Sequence, residues 1–321
     1  MRSFRKIAIP AAVILLLTVV NLGLNYALIP ASYVNFMIHE GVSQAHDTVF
    51  LGTSHGLNGI SPKIVEEQTG EKAINLCMGG EYPRDAYYLL KMVCEKSIPK
   101  TVVYELDFGY WCTPEGQRGD FNRAYYEMPW SFTKAEYFLN KEWKLDFRAA
   151  LFPWFYYRGQ FRDMKEIIAR KRSPEYRNRE ESLFQWDGYG YMDGFMRNRP
   201  IPGEKPEENL VLWNEKEKNE DSFRYFEKMA AFCEKMGIRL VVLTTPVPGE
   251  VLDKYGENFQ EADNFFTEYL GKMGIDYWNY NRPGTEIENF DDSLNAFTDY
   301  EGHMSAGQAE AFSVQLVEDF L

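Results

Sequence analysis

The sequence predicts an α/β sandwich carrying one insertion and one membrane-crossing helix, and three observations predict it. Short apolar runs of strand length alternate with amphipathic helical patterns in two blocks, roughly 47 to 110 and 238 to 321. Between Thr113 and about Asn219 that alternation breaks off. Ahead of both, an uncharged apolar stretch runs from Ile7 to Ile29. Alternating strands and helices give a parallel sheet covered on both faces, so the expected core is a flavodoxin-like three-layer α/β/α sandwich.

The apolar stretch comes first. Ile7 to Ile29 is 23 residues, against roughly 20 needed to cross a bilayer as a helix. Arg2, Arg5 and Lys6 precede it and no Lys or Arg follows until Lys63. The positive-inside rule then puts the N-terminus in the cytoplasm and the rest outside. A cleaved signal peptide is the rival; it has a shorter apolar region and a small-x-small cleavage site, which Asn25-Tyr26-Ala27 fits poorly. The expected organisation is therefore an anchor at 1–30 and an extracytoplasmic domain at 31–321, with a helical cap inserted at about 113–219.

Composition narrows the classes. With 45% hydrophobic and 16% aromatic residues the chain is globular. A net charge of -13 argues against a nucleic-acid partner. Cys77, Cys94, Cys112 and Cys233 show no metal-ligand spacing, and buried free thiols are expected. Nothing in the pattern asks for a cofactor.

In the core, Val49 to Leu51 is a strand that stops at Gly52-Thr53-Ser54, with Ser61-Pro62 opening a helical pattern. Lys72 to Leu76 is a second strand, ending in the turn Met78-Gly79-Gly80. Pro83 suits the first turn of the next helix, where Ala86, Leu89, Leu90, Val93 and Cys94 share one face. Thr101 to Leu106 is the third strand. Later, Phe226, Met229, Ala230 and Cys233 mark a helix stopped by Gly237, and Ile238 to Leu243 is a strongly apolar strand. A helix with Ala262, Phe265, Phe266, Tyr269 and Leu270 inward leads to a strand near Ile275 to Trp278. Ser305 and Gln308 have capping-box spacing for a last helix with Ala309, Phe312, Leu316 and Phe320 inward.

The insertion holds five of the seven tryptophans. Its aromatics read first as the cap's own core. Trp186-Asp187-Gly188-Tyr189-Gly190-Tyr191 is the segment expected to reach the site, because its glycines permit close approach; Trp186, Tyr189 and Tyr191 are the candidate sugar-binding residues. The basic cluster Arg162 to Arg172 reads as a solvated helix face.

The chemistry starts from Ser54. A serine at the carboxyl end of a strand sits where open α/β sheets place their sites. A nucleophilic serine needs a base, and the base needs an acid. The chain has four histidines, His39, His46, His55 and His303. Asp299 and Glu301 both precede His303; Asp299 is favoured, since four residues allow a loop to fold back. The backbone N–H groups of Ser54 and Gly80 are the candidate oxyanion donors. His55, beside the serine, is a candidate for substrate contact.

Gly-x-Ser after the first strand, Asn75 to Gly80 after the second, and an acid and histidine before the last helix resemble the SGNH, or GDSL-type, hydrolase superfamily. The N-terminal segment and Glu105-Leu106-Asp107 look most like its membrane-anchored cell-surface branch, which includes the teichoic acid D-alanyl transfer protein and the alginate O-acetylation proteins. The chain departs from the pattern in three places. Thr53 stands where the family has Asp, no third-block Gly-x-Asn is present, and the acid-to-histidine spacing is one residue longer. Asn58 is the candidate substitute for the missing third oxyanion donor. The resemblance implies acyl, in particular acetyl, transfer through an ester on Ser54 to a cell-surface glycopolymer. A membrane-bound O-acyltransferase would be the partner that supplies the acyl group. A carbohydrate esterase of the same fold and a non-catalytic glycan-binding scaffold are the alternatives.

Overall fold

The computed structural model describes residues 2–116, 122–207 and 209–321. The chain opens with α1 (Arg2–Leu28), long and apolar enough from Lys6 to Leu28 to cross a membrane, and α2 (Tyr33–Ser43). The first core block is β1 (Thr48–Leu51), α3 (Ser54–Gly59), α4 (Pro62–Thr69), β2 (Ala73–Asn75), α5 (Pro83–Lys96) and β3 (Thr101–Glu105). The inserted segment holds α6 (Arg123–Glu127), α7 (Phe132–Tyr137), α8 (Trp143–Leu151), α9 (Met164–Arg172) and α10 (Pro174–Asn178). It continues with β4 (Gln185–Trp186), β5 (Tyr189–Met192) and β6 (Phe195–Arg197). The second core block is α11 (Glu220–Met236), β7 (Arg239–Thr244), α12 (Gly249–Lys272), β8 (Asp276–Asn279) and α13 (Ala306–Phe320).

Strands β1, β2, β3 and β7 are mainly apolar runs buried along most of their length, as parallel sheets require, whereas the edge strand β8 leaves Asp276 and Trp278 exposed. The five strands pair in the order β2-β1-β3-β7-β8, every neighbour parallel, with Val49 between Ile74 and Val102. This is the flavodoxin-like order, and its switch point lies between β1 and β3, where such sheets open a crevice beyond the strand ends. Helix α5 packs with α2 and α11, and α13 packs with α3 and α4.

The insertion is less purely helical than expected, because β4, β5 and β6 form an antiparallel three-stranded sheet. Two Asp-Gly pairs explain it. Asp187-Gly188 and Asp193-Gly194 all have positive φ between 50 and 80°, the conformation of two-residue hairpin turns. At the start of α13, Ser305 occupies the N-cap position without a side-chain cap, and Gln308 instead accepts the Asp291 N–H. The expected capping box is therefore absent. All four cysteines are free.

A buried charge cluster pins the insertion to the core. Lys141, fully buried, bonds Asp85 of α5, which also accepts from the Tyr137 hydroxyl and from the Tyr82 N–H at 3.0 Å. Burial alone would lower the Lys141 pKa, but the charges of Asp85, Glu115 and Glu142 raise it on balance. Arg84 donates to the Asn140 carbonyl at 2.8 Å and lies 4.6 Å from the Tyr225 ring centroid. Asp85→Ala should cost about 3–5 kcal/mol, because it strips Lys141 of its nearest counter-charge and α5 of its cap. Urea unfolding of the detergent-solubilised chain measures this; a loss under about 1 kcal/mol, the scale of an exposed pair, would refute it.

Candidate functional site

The turn after β1 is built around a carboxylate from the neighbouring strand. Gly52 has φ 144°, and a Cβ there would lie 2.7 Å from both the Glu105 Cβ and its carbonyl oxygen. Only glycine fits. Glu105 Oε2 then accepts the Thr53 N–H at 2.7 Å and the Thr53 hydroxyl at 2.8 Å. The same Thr53 Oγ1 accepts the His55 N–H at 3.2 Å and so caps α3, whose first residue is Ser54. The other end of α3 is braced from β2: the Asn75 side chain donates to the Gly56 and Ile60 carbonyls, each at 2.8 Å. A Cβ on Gly79 would come within 3.8 Å of the Ser54 Cβ, which sets the Met78-Gly79-Gly80 turn beside the serine.

The histidine beside Ser54 arrives from the other end of the chain. Phe297 and Met304 form an isolated bridge, and Thr298 N–H donates to the His303 carbonyl at 2.9 Å, closing a loop. Asp299 Oδ1 accepts the backbone N–H groups of Gly302 and His303 at 3.1 and 3.2 Å. Gly302, at φ 109°, turns the chain against Val247 where a Cβ would clash at 2.9 Å. Asp299 Oδ2 lies 2.5 Å from His303 Nδ1, and His303 Nε2 lies 2.7 Å from Ser54 Oγ. An ionised carboxylate only accepts, so Nδ1–H donates to Asp299, which leaves Nε2 to accept the Ser54 hydroxyl proton.

The electrostatics fit that assignment. Burial would raise the Asp299 pKa, but the hydrogen bond and charge of His303 hold it below the carboxylate range. Burial would lower that of His303, but Asp299 raises it on balance. His55 falls to about 4, through burial first and the His303 charge second, and stays neutral. Glu105 is pushed up to about 7, mainly by burial and then by the Asp107 charge.

No family model and no curated protein matches the chain. Among solved structures, a GDSL-like lipase from Bacteroides thetaiotaomicron is 13% identical, over 90% of this chain and 100% of that one, at a TM-score of 0.37. That is a loose likeness, and the site stands on its own geometry.

The structure thus brings Ser54, His303 and Asp299 into one hydrogen-bonded line and sets Gly80 in the adjoining turn. Glu301 lies not on the histidine but in the wall of a pocket of about 130 Å³ beside Ser54. His55 is in that wall too, packed edge-on against the His303 ring at 4.7 Å, with Nδ1 3.8 Å from Asp107. Asn58 is placed otherwise than expected. Its amide donates to the Ser54 carbonyl at 2.5 Å and its oxygen accepts from Asn198, so both ends are engaged within the protein. Trp186, Tyr189 and Tyr191 do not line the pocket. Gly188 makes a hairpin turn and Gly190 lies within β5 instead, Tyr191 is buried in a 4.9 Å stack on Tyr33, Tyr189 lies under Arg199, and Trp186 is exposed.

Sequence reasoning missed the pocket's other walls: Tyr82, Asp107, Tyr110, and Asn209 to Val211 where the insertion returns. It also missed Arg123, whose Nη1 lies 4.0 Å from the point where a Gly79 Cβ would be. A basic side chain opening a helix carries no motif. Among the described residues no cluster of His, Cys, Asp and Glu is arranged to hold a metal ion.

Two measurements test this geometry through the rate of fluorophosphonate labelling of Ser54. His303 accepts a proton only when neutral, so the rate should fall on acidification with a midpoint above 6.5, the ordinary histidine value. Asp299→Asn removes what raises that midpoint, so the midpoint should move down while the rate drops by about 10⁴; an unchanged profile would argue against the assignment. Glu105→Ala should slow labelling by about a hundredfold by loosening the nucleophile's turn, whereas Glu105→Gln, which keeps an acceptor for Thr53, should retain much more. Equal losses in the two would show that the carboxylate does not act through Thr53.

Proposed function

We propose that this protein transfers a short acyl group, acetyl in the simplest case, through an ester on Ser54 to a hydroxyl of a cell-surface polysaccharide. The single observation that carries the reading is the Ser54–His303–Asp299 line at 2.7 and 2.5 Å. In the first half-reaction His303 takes the Ser54 proton as Oγ bonds the acyl carbon, then gives it to the leaving oxygen as that bond breaks. In the second, His303 takes the proton of the acceptor hydroxyl, whose oxygen bonds the acyl carbon, and returns it to Ser54. Asp299 holds the imidazolium between these steps. The backbone N–H groups of Ser54 and Gly80 receive the oxyanion, each such donor being worth about 3 kcal/mol.

The pocket of about 130 Å³ has room for about four waters at roughly 30 Å³ each, which suits a few-carbon acyl group. Asp107 and Glu301 are its charged lining residues, so a neutral group fits better than an anionic one. Leu210, Val211, Tyr82 and Tyr110 give its wall a side on which an acyl chain can lie. We read α1 as spanning the membrane with its N-terminus cytoplasmic and the domain outside, within reach of a membrane-bound O-acyltransferase as acyl supplier.

Intact-mass spectrometry of the full chain in detergent, after a p-nitrophenyl acetate pulse, tests the reading. An adduct of one acetyl group is expected, lost in Ser54→Ala, persistent in water and discharged by added oligosaccharide. Rapid discharge by water alone would favour an esterase, and no adduct on folded protein would favour a glycan-binding scaffold.

A further inference from the structure

The seat of α1 on the inserted segment is the starting point. The side-chain amide of Asn21 donates to the Leu151 carbonyl and its oxygen accepts the Trp154 indole N–H, both at 2.9 Å. Asn25 accepts the Trp154 backbone N–H at 2.9 Å, and Lys171 donates to the Tyr26 carbonyl at 3.0 Å. Counted from Ile7, about 20 residues take a helix across the hydrocarbon, so the outer boundary falls near Tyr26 and Asn21 lies about 8 Å inside it. The segment that satisfies these asparagines therefore sits at the depth of the outer interface. Tryptophan is the residue favoured there.

The surface continuing from this seat is apolar and uncovered. Trp143, Phe147, Leu151, Phe152, Phe155 and Phe161 are 58, 44, 47, 45, 39 and 51% exposed. They come from α8, which is broken at Asp146, and from the turns between α8 and α9 that pack on α1. Trp143 and Phe147 pack at 5.5 Å, and Trp154 packs on Phe155 at 6.3 Å, so these exposed groups are not isolated. Scattered single apolar residues are ordinary on a surface; a contiguous set marks an interaction face. The flanking stretch 158–172 carries six basic and two acidic residues in a chain of net charge -13. Of the basic ones, Arg158, Arg162, Lys165, Arg170 and Arg172 are exposed. Aromatic and leucine side chains rimmed by Arg and Lys are the composition of a segment lying in a bilayer interface.

We infer that the segment from Trp143 to Phe161 is a second membrane contact, an interfacial plate dipping into the outer leaflet beside α1 and rimmed by cations that meet anionic headgroups. The inference rests on the reading of α1 as a span. It changes the meaning of the basic cluster, which becomes a lipid-facing rim rather than a plain solvated face.

The full chain reconstituted in nanodiscs of phosphatidylcholine and phosphatidylglycerol, with dibrominated acyl chains in half of the preparations, tests it. Trp143 packs on Phe138 and Phe147 and takes no part in the hydrogen bonds of the Asn21 seat, so quenching of its emission by lipid bromine reports on the plate. Comparison of wild type with Trp143→Phe isolates its emission, which should be quenched about twofold given burial of roughly 5–10 Å below the surface. The emission isolated with Trp278→Phe, outside the plate, should be unaffected. Phe147→Glu/Phe152→Glu/Phe161→Glu should abolish the Trp143 quenching while circular dichroism and Ser54 labelling stay unchanged. Unquenched Trp143 in inserted protein overturns the plate, including the case in which a membrane protein covers this face instead of lipid. Protein that fails to float with liposomes overturns the span itself, so the two failures are distinct. If the triple variant does not fold, the comparison through Trp143→Phe still decides.

Discussion

The whole site depends on a carboxylate buried between two strands. Glu105, at the end of β3, holds the residue before Ser54 by its N–H and its hydroxyl, and Gly52 lies against it so closely that no side chain could intervene. A buried carboxyl group is costly unless its oxygens are bonded, so the two hydrogen bonds that satisfy Oε2 also fix Thr53. Thr53 in turn caps α3, and the serine's direction follows from the cap. Because the pairing of β1 with β3 is parallel and in register, this arrangement places the serine at the switch point without help from the far end of the chain.

The far end has to meet it. The bond from His303 to Ser54 closes a loop across 249 residues, and its geometry is set locally by Asp299, which accepts two backbone N–H groups with one oxygen and addresses the imidazole with the other. One carboxylate thus shapes the turn and orients the imidazole. The insertion adds the remaining walls, and its buried Lys141–Asp85 contact ties it to the helix that follows the Gly79-Gly80 turn. The three parts converge on one crevice although their sequences are far apart.

Much of this was legible in the chain because it is carried by periodicity and punctuation. All five core strands lie within a residue or two of the runs read as strands, four of them because a strand buried on both faces has no other way to be written. Ser54, His303 and Asp299 could be chosen because the sequence offers few histidines and sets one beside the last helix. What escaped depends on hydrogen bonds rather than pattern. Asn58 looks like a spare donor until its amide N–H is engaged by the Ser54 carbonyl, with Asn198, 140 residues away, donating to its oxygen. Asp187-Gly188 reads equally as a flexible loop and as a hairpin turn, and the hairpin took Trp186, Tyr189 and Tyr191 away from the serine. Ser305 and Gln308 have the spacing of a capping box, but Gln308 is recruited by Asp291. Glu105 gave no sign of its role, because nothing in a strand's sequence says which neighbour its last carboxylate will grip.

The asparagines of α1 carry a mechanical consequence. A domain joined to a span by a flexible linker samples a hemisphere, and its reach grows with the linker's length. Here the helix enters the domain already hydrogen-bonded to it at Asn21 and Asn25, with only the few residues before Tyr33 between α1 and α2. Joined in this way, α1 is a strut rather than a leash. On the proposed reading of α1 as a span, such a strut holds the Ser54 crevice at one height and one tilt, so distance from the membrane becomes part of which acceptors come within range.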